Sequence, residues 1–202
     1  MTCTTRRYCI AAGEVEAVIG APYGGDRISL VTTANGGASW KQRSIVTNSA
    51  APSGIGSFEG MTCASPTHCL LVGQATPPDG APSGQIVSST DRGASWTYQT
   101  LPPGTTGLSA ISCWSATQCV VAGGGIEGRG GIMQDLLSTS DGGQIWTSRP
   151  VHASAVGLEG VSCPTATSCI AVGFDLPATD PTAEPAAVVV SSDGGVTWNV
   201  PS

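Results

Sequence analysis

The chain has 202 residues, among them 28 Gly, 14 Pro and 8 Cys, with 11% charged residues and a formal net charge of −6. That length is enough for one domain with a real core, while eight Lys and Arg in an acidic chain do not supply the clustered cations that nucleic-acid phosphates require. No apolar run reaches the roughly eighteen residues of a membrane-spanning helix, and no window holds a sustained 3.6-residue apolar stripe, so the chain is expected to be all-β.

In chain order the same four-strand unit is met four times. Strand A ends at a first cysteine, strand B begins at a second, strand C leads into a Trp-ended box, and strand D begins near its Trp. The units cover about 1–48, 59–101, 109–150 and 159–202 of one domain. In the last unit the strands fall near 160–163, 168–173, 187–191 and 197–200. Runs such as Cys119-Val-Val-Ala122 and Ala187-Val-Val-Val190 are almost continuously apolar, which suits strands buried on both faces between stacked sheets. Met1 stands where the other units carry Met61, Ile111 or Val161, and repeat one lacks the Phe58-Glu-Gly and Leu158-Glu-Gly lead-ins. The chain therefore reads as a mature or excised portion of an exported protein, with a longer array as an open alternative.

The cysteines repeat in step: Cys3/Cys9, Cys63/Cys69, Cys113/Cys119 and Cys163/Cys169, with none left over. Each pair flanks a turn rich in Ser, Thr and Pro, the composition of a β-hairpin with a five-residue loop, so a cystine would clamp each hairpin. The rival reading is metal, but zinc sites favour tighter spacings and four converging ligands, whereas these pairs lie about fifty residues apart. Closing so short a loop stabilises a hairpin by about 2 kcal/mol at most in the chain-entropy model. Local disulfides imply an oxidising compartment and hence export to a secreted, periplasmic or cell-surface location.

The boxes read Thr33-Ala-Asn35-Gly-Gly37-Ala-Ser-Trp40, Ser89-Thr-Asp91-Arg-Gly93-Ala-Ser-Trp96, Thr139-Ser-Asp141-Gly-Gly143-Gln-Ile-Trp146 and Ser191-Ser-Asp193-Gly-Gly195-Val-Thr-Trp198. Their tryptophans lie 56, 50 and 52 residues apart, the period of a four-stranded propeller blade. An Asp or Asn oxygen accepts backbone N–H groups within its own turn, Gly supplies a positive φ, and Trp covers the apolar side of the hairpin. The motif resembles the Asp-box, or BNR, repeat of sialidase-like propellers, also found in sortilin-type receptors and photosystem II assembly-factor proteins. The resemblance implies a β-propeller of four-stranded antiparallel blades, with the box structural and at the blade periphery. Asn35 keeps the acceptor but loses the charge, which predicts a weaker first turn.

In such an up-and-down blade the A–B and C–D turns share one face of the disc. The opposite face receives the B–C loops, about 13–27, 74–84, 124–133 and 174–186, and the D–A connections, about 45–58, 101–109 and 150–159. Apart from the three box aspartates, the acids are Glu14, Glu16, Asp26, Glu59, Asp79, Glu127, Asp135, Glu159, Asp175, Asp180 and Glu184, all in or beside that loop face. Arg6, Arg7, His68 and Arg92 fall on the other face, and Arg27 and Arg129 are basic exceptions. The candidate binding face is therefore Glu14, Glu16, Tyr23, Asp26, Asp79, Glu127, Arg129, Asp175, Asp180 and Glu184. A disc polarised in this way would steer a cationic partner or favour head-to-tail stacking of identical discs, against the plainer reading of a solvated acidic rim.

No catalytic constellation is legible. A sialidase would need an arginine cluster and a Tyr–Glu nucleophile pair, yet Tyr8, Tyr23 and Tyr98 and the scattered arginines match none of it. Two-carboxylate glycoside hydrolysis stays open because the loop face holds many acids. His68 and His152 occupy opposite faces without a nucleophile motif, and Gly123-Gly-Gly125-Ile-Glu-Gly128 bridges two strands rather than opening a helix. No cofactor is expected. Loop carboxylates would suit calcium, but Asp175…Asp180 and Glu14-Val-Glu16 match no calcium-loop spacing. Trp114 is expected to pack across its disulfide. The preferred function is a non-catalytic exported binding module for a protein or glycan. The alternatives are a structural subunit of a homo-oligomer, including four blades that complete a larger ring with another chain, and a glycosidase fragment.

Overall fold

The computed structural model describes residues 1–15, 27–44, 55–76, 83–126, 132–149, 151, 156–175 and 186–201. Every element in them is a β-strand. The first sheet is β1 (Thr2–Cys3), β2 (Cys9–Val15), β3 (Arg27–Thr33) and β4 (Lys41–Ser44), and the second is β5 (Ile55–Cys63), β6 (Cys69–Thr76), β7 (Ser83–Ser89) and β8 (Thr97–Tyr98). The third is β9 (Leu108–Cys113), β10 (Cys119–Ile126), β11 (Ile132–Thr139) and β12 (Thr147–Ser148). The fourth holds β13 (Val156–Ser162), β14 (Cys169–Asp175) and β15 (Ala186–Ser191), its outer strand reduced to the antiparallel bridge Val190↔Asn199. Each sheet is an antiparallel meander in chain order.

Outer strands are shorter than the sequence leads one to expect, two residues in the second and third sheets and one bridge in the fourth. An outermost strand has only one neighbour to pair with, and shortness limits its unpaired edge. The first strands of successive units, β1, β5, β9 and β13, lie beside one another. The sheets therefore stack face to face with these strands innermost.

Strand alternation produces that stacking. Within β6, Leu70 and Val72 join Ile86 against the third sheet, while Cys69 and Leu71 join Val87 against the first. Both faces of the strand are buried, which is why it reads as an unbroken apolar run. The next interface repeats the rule: Val120, Ala122 and Leu136 meet Leu158, Ala171 and Val189 of the fourth sheet.

The box tryptophans belong to these interfaces rather than only to their own hairpins. Trp96 packs with Ile10 and Leu30 of the preceding sheet, Trp146 with Leu70, Val72 and Ile86, and Trp198 with Val120, Ala122 and Leu136. Trp96 and Trp198 are 0% exposed and Trp146 5%. Trp40, in the first unit, is 41% exposed. Trp114 likewise reaches beyond its own disulfide, its ring packing with the fourth sheet beside Gly194.

All eight cysteines pair as their spacing predicts, with Cα–Cα separations of 4.0, 3.9, 4.0 and 4.1 Å across the hairpin mouths. Each turn is fastened by one hydroxyl. Thr5, Ser65, Ser115 and Thr165 accept the backbone N–H groups of Tyr8, His68, Gln118 and Ser168 at 2.9, 3.0, 3.0 and 3.0 Å.

Candidate functional site

The two ends of each sheet differ in kind. At one end the box and the disulfide hairpin are joined by a backbone bond in every unit: Gly36 N–H to Arg7 O, Arg92 N–H to Thr67 O, Gly142 N–H to Thr117 O and Gly194 N–H to Thr167 O, between 2.9 and 3.1 Å. The turns that the sequence places on one face are thus in direct contact there.

Inside each box the bonding is closed. The leading hydroxyls of Thr33, Ser89, Thr139 and Ser191 donate to Asn35, Asp91, Asp141 and Asp193 at 2.9, 2.7, 2.8 and 2.7 Å. The same hydroxyls accept N–H from Gly37, Gly93, Gly143 and Gly195. The Asp or Asn oxygen then takes the N–H of Ser39, Ser95, Ile145 or Thr197, at 2.9 to 3.0 Å. Asn35 makes the whole set, so losing the charge does not open the first turn. The residue before the second glycine also has positive φ, which glycine meets in three boxes and Arg92, at φ 63°, in the other.

These bonds hold the box carboxyls down. Asp91 falls to about 2, chiefly through the Ser95 hydroxyl, with burial opposing it and the Ser95 N–H, the Ser89 hydroxyl and the Ala94 N–H adding to the fall. Asp193 falls to about 2 through the Thr197 hydroxyl and backbone, and Asp141 falls mainly through the Ile145 N–H. Because the folded values lie below the ordinary 3.8, the stabilisation is complete above 3.8 and is lost as pH falls from there toward 2. We expect the urea midpoint to drop across that window, and an Asp91→Asn/Asp193→Asn variant to show a shallower drop. Equal slopes would mean that the turns gain nothing from the charges.

At the opposite end of the sheets the inner strands β5, β9 and β13 carry one extra residue each. The pairing of β5 with β6 slips between Phe58 and Gly60, that of β13 with β14 between Leu158 and Gly160, and that of β9 with β10 beside Ser109. Glu59, Ser109 and Glu159 are the residues left over, and a bulge of this kind re-aims a side chain. All three line a cavity of about 440 Å³ with Gln74, Gly107, Leu108 and Gly124. Glu59 and Glu159 are exposed. Nearby, buried Gln85 ties β5 to β6 by donating to Ser57 O and Gln74 O at 3.1 and 2.8 Å.

A second cavity, of about 190 Å³, lies on the box side between the third and fourth sheets. Its charged groups are already engaged: Arg149 donates to Ser138 at 2.7 Å, and Asp141 serves its own turn. Among the described residues no group of three His, Cys, Asp or Glu is placed to hold a metal ion, and no helix is long and apolar enough to cross a membrane.

Of the sequence-predicted binding face, Glu14 and Asp175 lie in β2 and β14, toward the strand ends away from the disulfide hairpins. Glu16, Tyr23, Asp26, Asp79, Glu127, Arg129, Asp180 and Glu184 fall outside the described residues, as does His152. The cavity brings together instead two acids that the sequence marked only as part of the acidic side. Their signal was present in the repeated Phe58-Glu59-Gly60 and Leu158-Glu159-Gly160 lead-ins.

Four antiparallel meanders stacked around shared inner strands, with one disulfide in each, define an all-β protein of the β-propeller class. Solved structures share this architecture. A protein of unknown function from Dyadobacter fermentans DSM 18053 aligns over 98% of this chain and 65% of its own, with a TM-score of 0.66 at 16% identity. YCF48 from Cyanidioschyzon merolae aligns over 87% and 52%, with 0.55 at 15% identity, and the Hadza microbial sialidase Hz136 over 95% and 41%, with 0.56 at 18% identity. The chain spans less than two thirds of each of these three, and what they share with it is the fold. No family model matches the sequence, and no curated protein matches it.

Proposed function

We propose that the chain is a non-catalytic, exported binding module whose bulge-lined cavity takes a basic side chain of a protein partner. The observation that carries this reading is the pair Glu59 and Glu159, two exposed carboxylates from different blades that line one cavity beside the Gln74 amide. Two carboxylates and an amide acceptor suit a Lys or Arg head, which brings only donors. The Asp-box resemblance supports a scaffold role for the rest of the disc, and four disulfides fit an oxidising compartment. The box acids are not candidates for a general acid. A general acid needs a raised value, whereas Asp91, Asp141 and Asp193 are lowered and bonded into their own turns.

The test is fluorescence polarisation with labelled hexapeptides containing Arg or Lys, against the same peptides with citrulline or acetyl-lysine. The basic peptides should bind, and Glu59→Gln/Glu159→Gln should weaken them about tenfold, as expected of two solvent-exposed ion pairs. Thermal stability should barely change, because both side chains are exposed. Equal binding by the double variant would overturn the reading. So would hydrolysis of aryl glycosides that the double variant loses, since that would make the two carboxylates a glycosidase pair.

A further inference from the structure

We infer that the smaller cavity, between the boxes of the third and fourth sheets, is a binding site for one pyranose ring of a glycan. It lies on the box side, away from the bulge-lined cavity, and the inference stands whatever that other cavity binds.

The four sheets, blades 1 to 4 in chain order, repeat closely enough that each joint between neighbours has an expected content. The joint between blades 3 and 4 departs from it. In blades 1 and 2 the side chain before the second cysteine crosses to the next blade, where Tyr8 donates its hydroxyl to Arg92 O at 2.7 Å and His68 Nδ1 donates to Ala116 O at 3.2 Å. Gln118 holds that position in blade 3. Among the described residues its carboxamide makes no such crossing, and it lines the cavity instead.

The box of blade 3 departs as well. Four residues after Asn35, Asp91 and Asp193 stand Ser39, Ser95 and Thr197, whose hydroxyls bond the second polar atom of the box side chain at 2.8, 2.6 and 2.6 Å. After Asp141 the residue is Ile145, and the bonds from Thr139, Gln144 and Ile145 all end on Oδ1. Oδ2 is left without a hydroxyl, on a residue that lines the cavity. Arg149 is engaged through one edge only: its Nε donates to Ser138 at 2.7 Å, as Gln99 Nε2 donates to Ser88 in blade 2 at 2.7 Å. Among the described residues the carboxylate and the guanidinium do not pair with each other, although they line one cavity of about 190 Å³.

That content selects a neutral ligand rich in hydroxyls. A small anion would be repelled by Asp141 and a small cation by Arg149, whereas vicinal hydroxyls donate to a carboxylate and accept from a guanidinium at once. Gln118 and Thr147 add groups that both donate and accept, as sugar hydroxyls do. Ile145 and Val196, 68 and 45% exposed, give the cavity an apolar wall from each blade that suits the C–H face of a pyranose. The ring would thus bridge two blades at a joint the protein leaves open.

Amide chemical-shift titration of the isotope-labelled, oxidised chain with the methyl pyranosides of glucose, galactose and mannose tests the inference. At least one should bind with a Kd of roughly 1–10 mM, with shifts centred on Gln118, Ile145 and Val196. Two variants borrow residues that blade 2 already uses. Ile145→Ser supplies the hydroxyl that caps Asp91, and Arg149→Gln keeps a donor to Ser138 while removing the rest of the guanidinium. Each should weaken binding about tenfold, the loss expected of a hydrogen bond to a charged group, and leave thermal unfolding unchanged or raised. Glu59→Gln/Glu159→Gln should bind the same pyranoside as the native chain does. If none of the pyranosides shifts these amides, the inference is overturned. L-leucine shifting them in place of the sugars would overturn it too, since a zwitterion also answers two opposite charges, as would pyranoside binding that Ile145→Ser leaves intact.

Discussion

Replacing Trp96 by alanine is expected to lower the unfolding free energy by about 3–5 kcal/mol, whereas Trp40→Ala should cost less than about 1. The two residues close the same box in neighbouring units, so their chemistry and local turn are alike. Only their surroundings differ. Trp96 is wedged among Ile10, Leu30, Leu71 and Val87, and its indole N–H donates to Gly93 O at 3.2 Å. Alanine there leaves a cavity between two stacked sheets that cannot close without moving both. Trp40 is 41% exposed and gives up little. Urea unfolding of the two variants side by side separates the pair. Equal losses would mean that the box tryptophans serve their own hairpins and not the joint between blades.

The glycine at the fifth position of strand B offers a comparably sharp contrast. Gly173→Ala is expected to cost about 3 kcal/mol, at the upper end of overpacking effects, because the new Cβ would run into Gly157 O and meet Leu158 Cα at 2.9 Å. Both contacts are main chain of the bulged inner strand, which has no side-chain rotamer to relieve them. Gly73 and Gly123 face the same obstruction from Ser57 and Gly107. Gly13 holds the same position in blade 1, and a Cβ there meets nothing within 4 Å. Gly13→Ala should therefore gain about 0.5–1 kcal/mol from reduced chain entropy in the unfolded state. Thermal unfolding of the two variants side by side would show opposite signs. A stabilising Gly173→Ala would rule out the close approach at the bulge.

What was legible in the sequence follows from how local its causes are. The boxes and cysteine hairpins could be read because their bonds run between residues at most six apart, so spacing alone specifies them. The apolar runs of strand B announced burial on both faces for the same reason. The tryptophans were assigned to their own hairpins because their true partners, such as Ile10 for Trp96, lie in another unit, and no spacing encodes that contact. In the sequence Glu59 and Glu159 read only as two of the acids in or beside the loop face. Their role in the cavity depends on a slip in strand pairing, which appears only once β5 and β13 are laid against β6 and β14. The shortness of the outer strands is not encoded in the boxes, which read the same whether two residues or four follow in the ladder.

Adjacent residues of strand B answer to different neighbours: Leu70 touches the blade that follows, Leu71 the blade that precedes. No side chain of β6 needs to reach both. Coupling between one inter-blade joint and the next therefore passes through the peptide backbone of a single strand, whose pleat converts a shift on one side into a shift on the other. In a stack of this kind stability is a nearest-neighbour property.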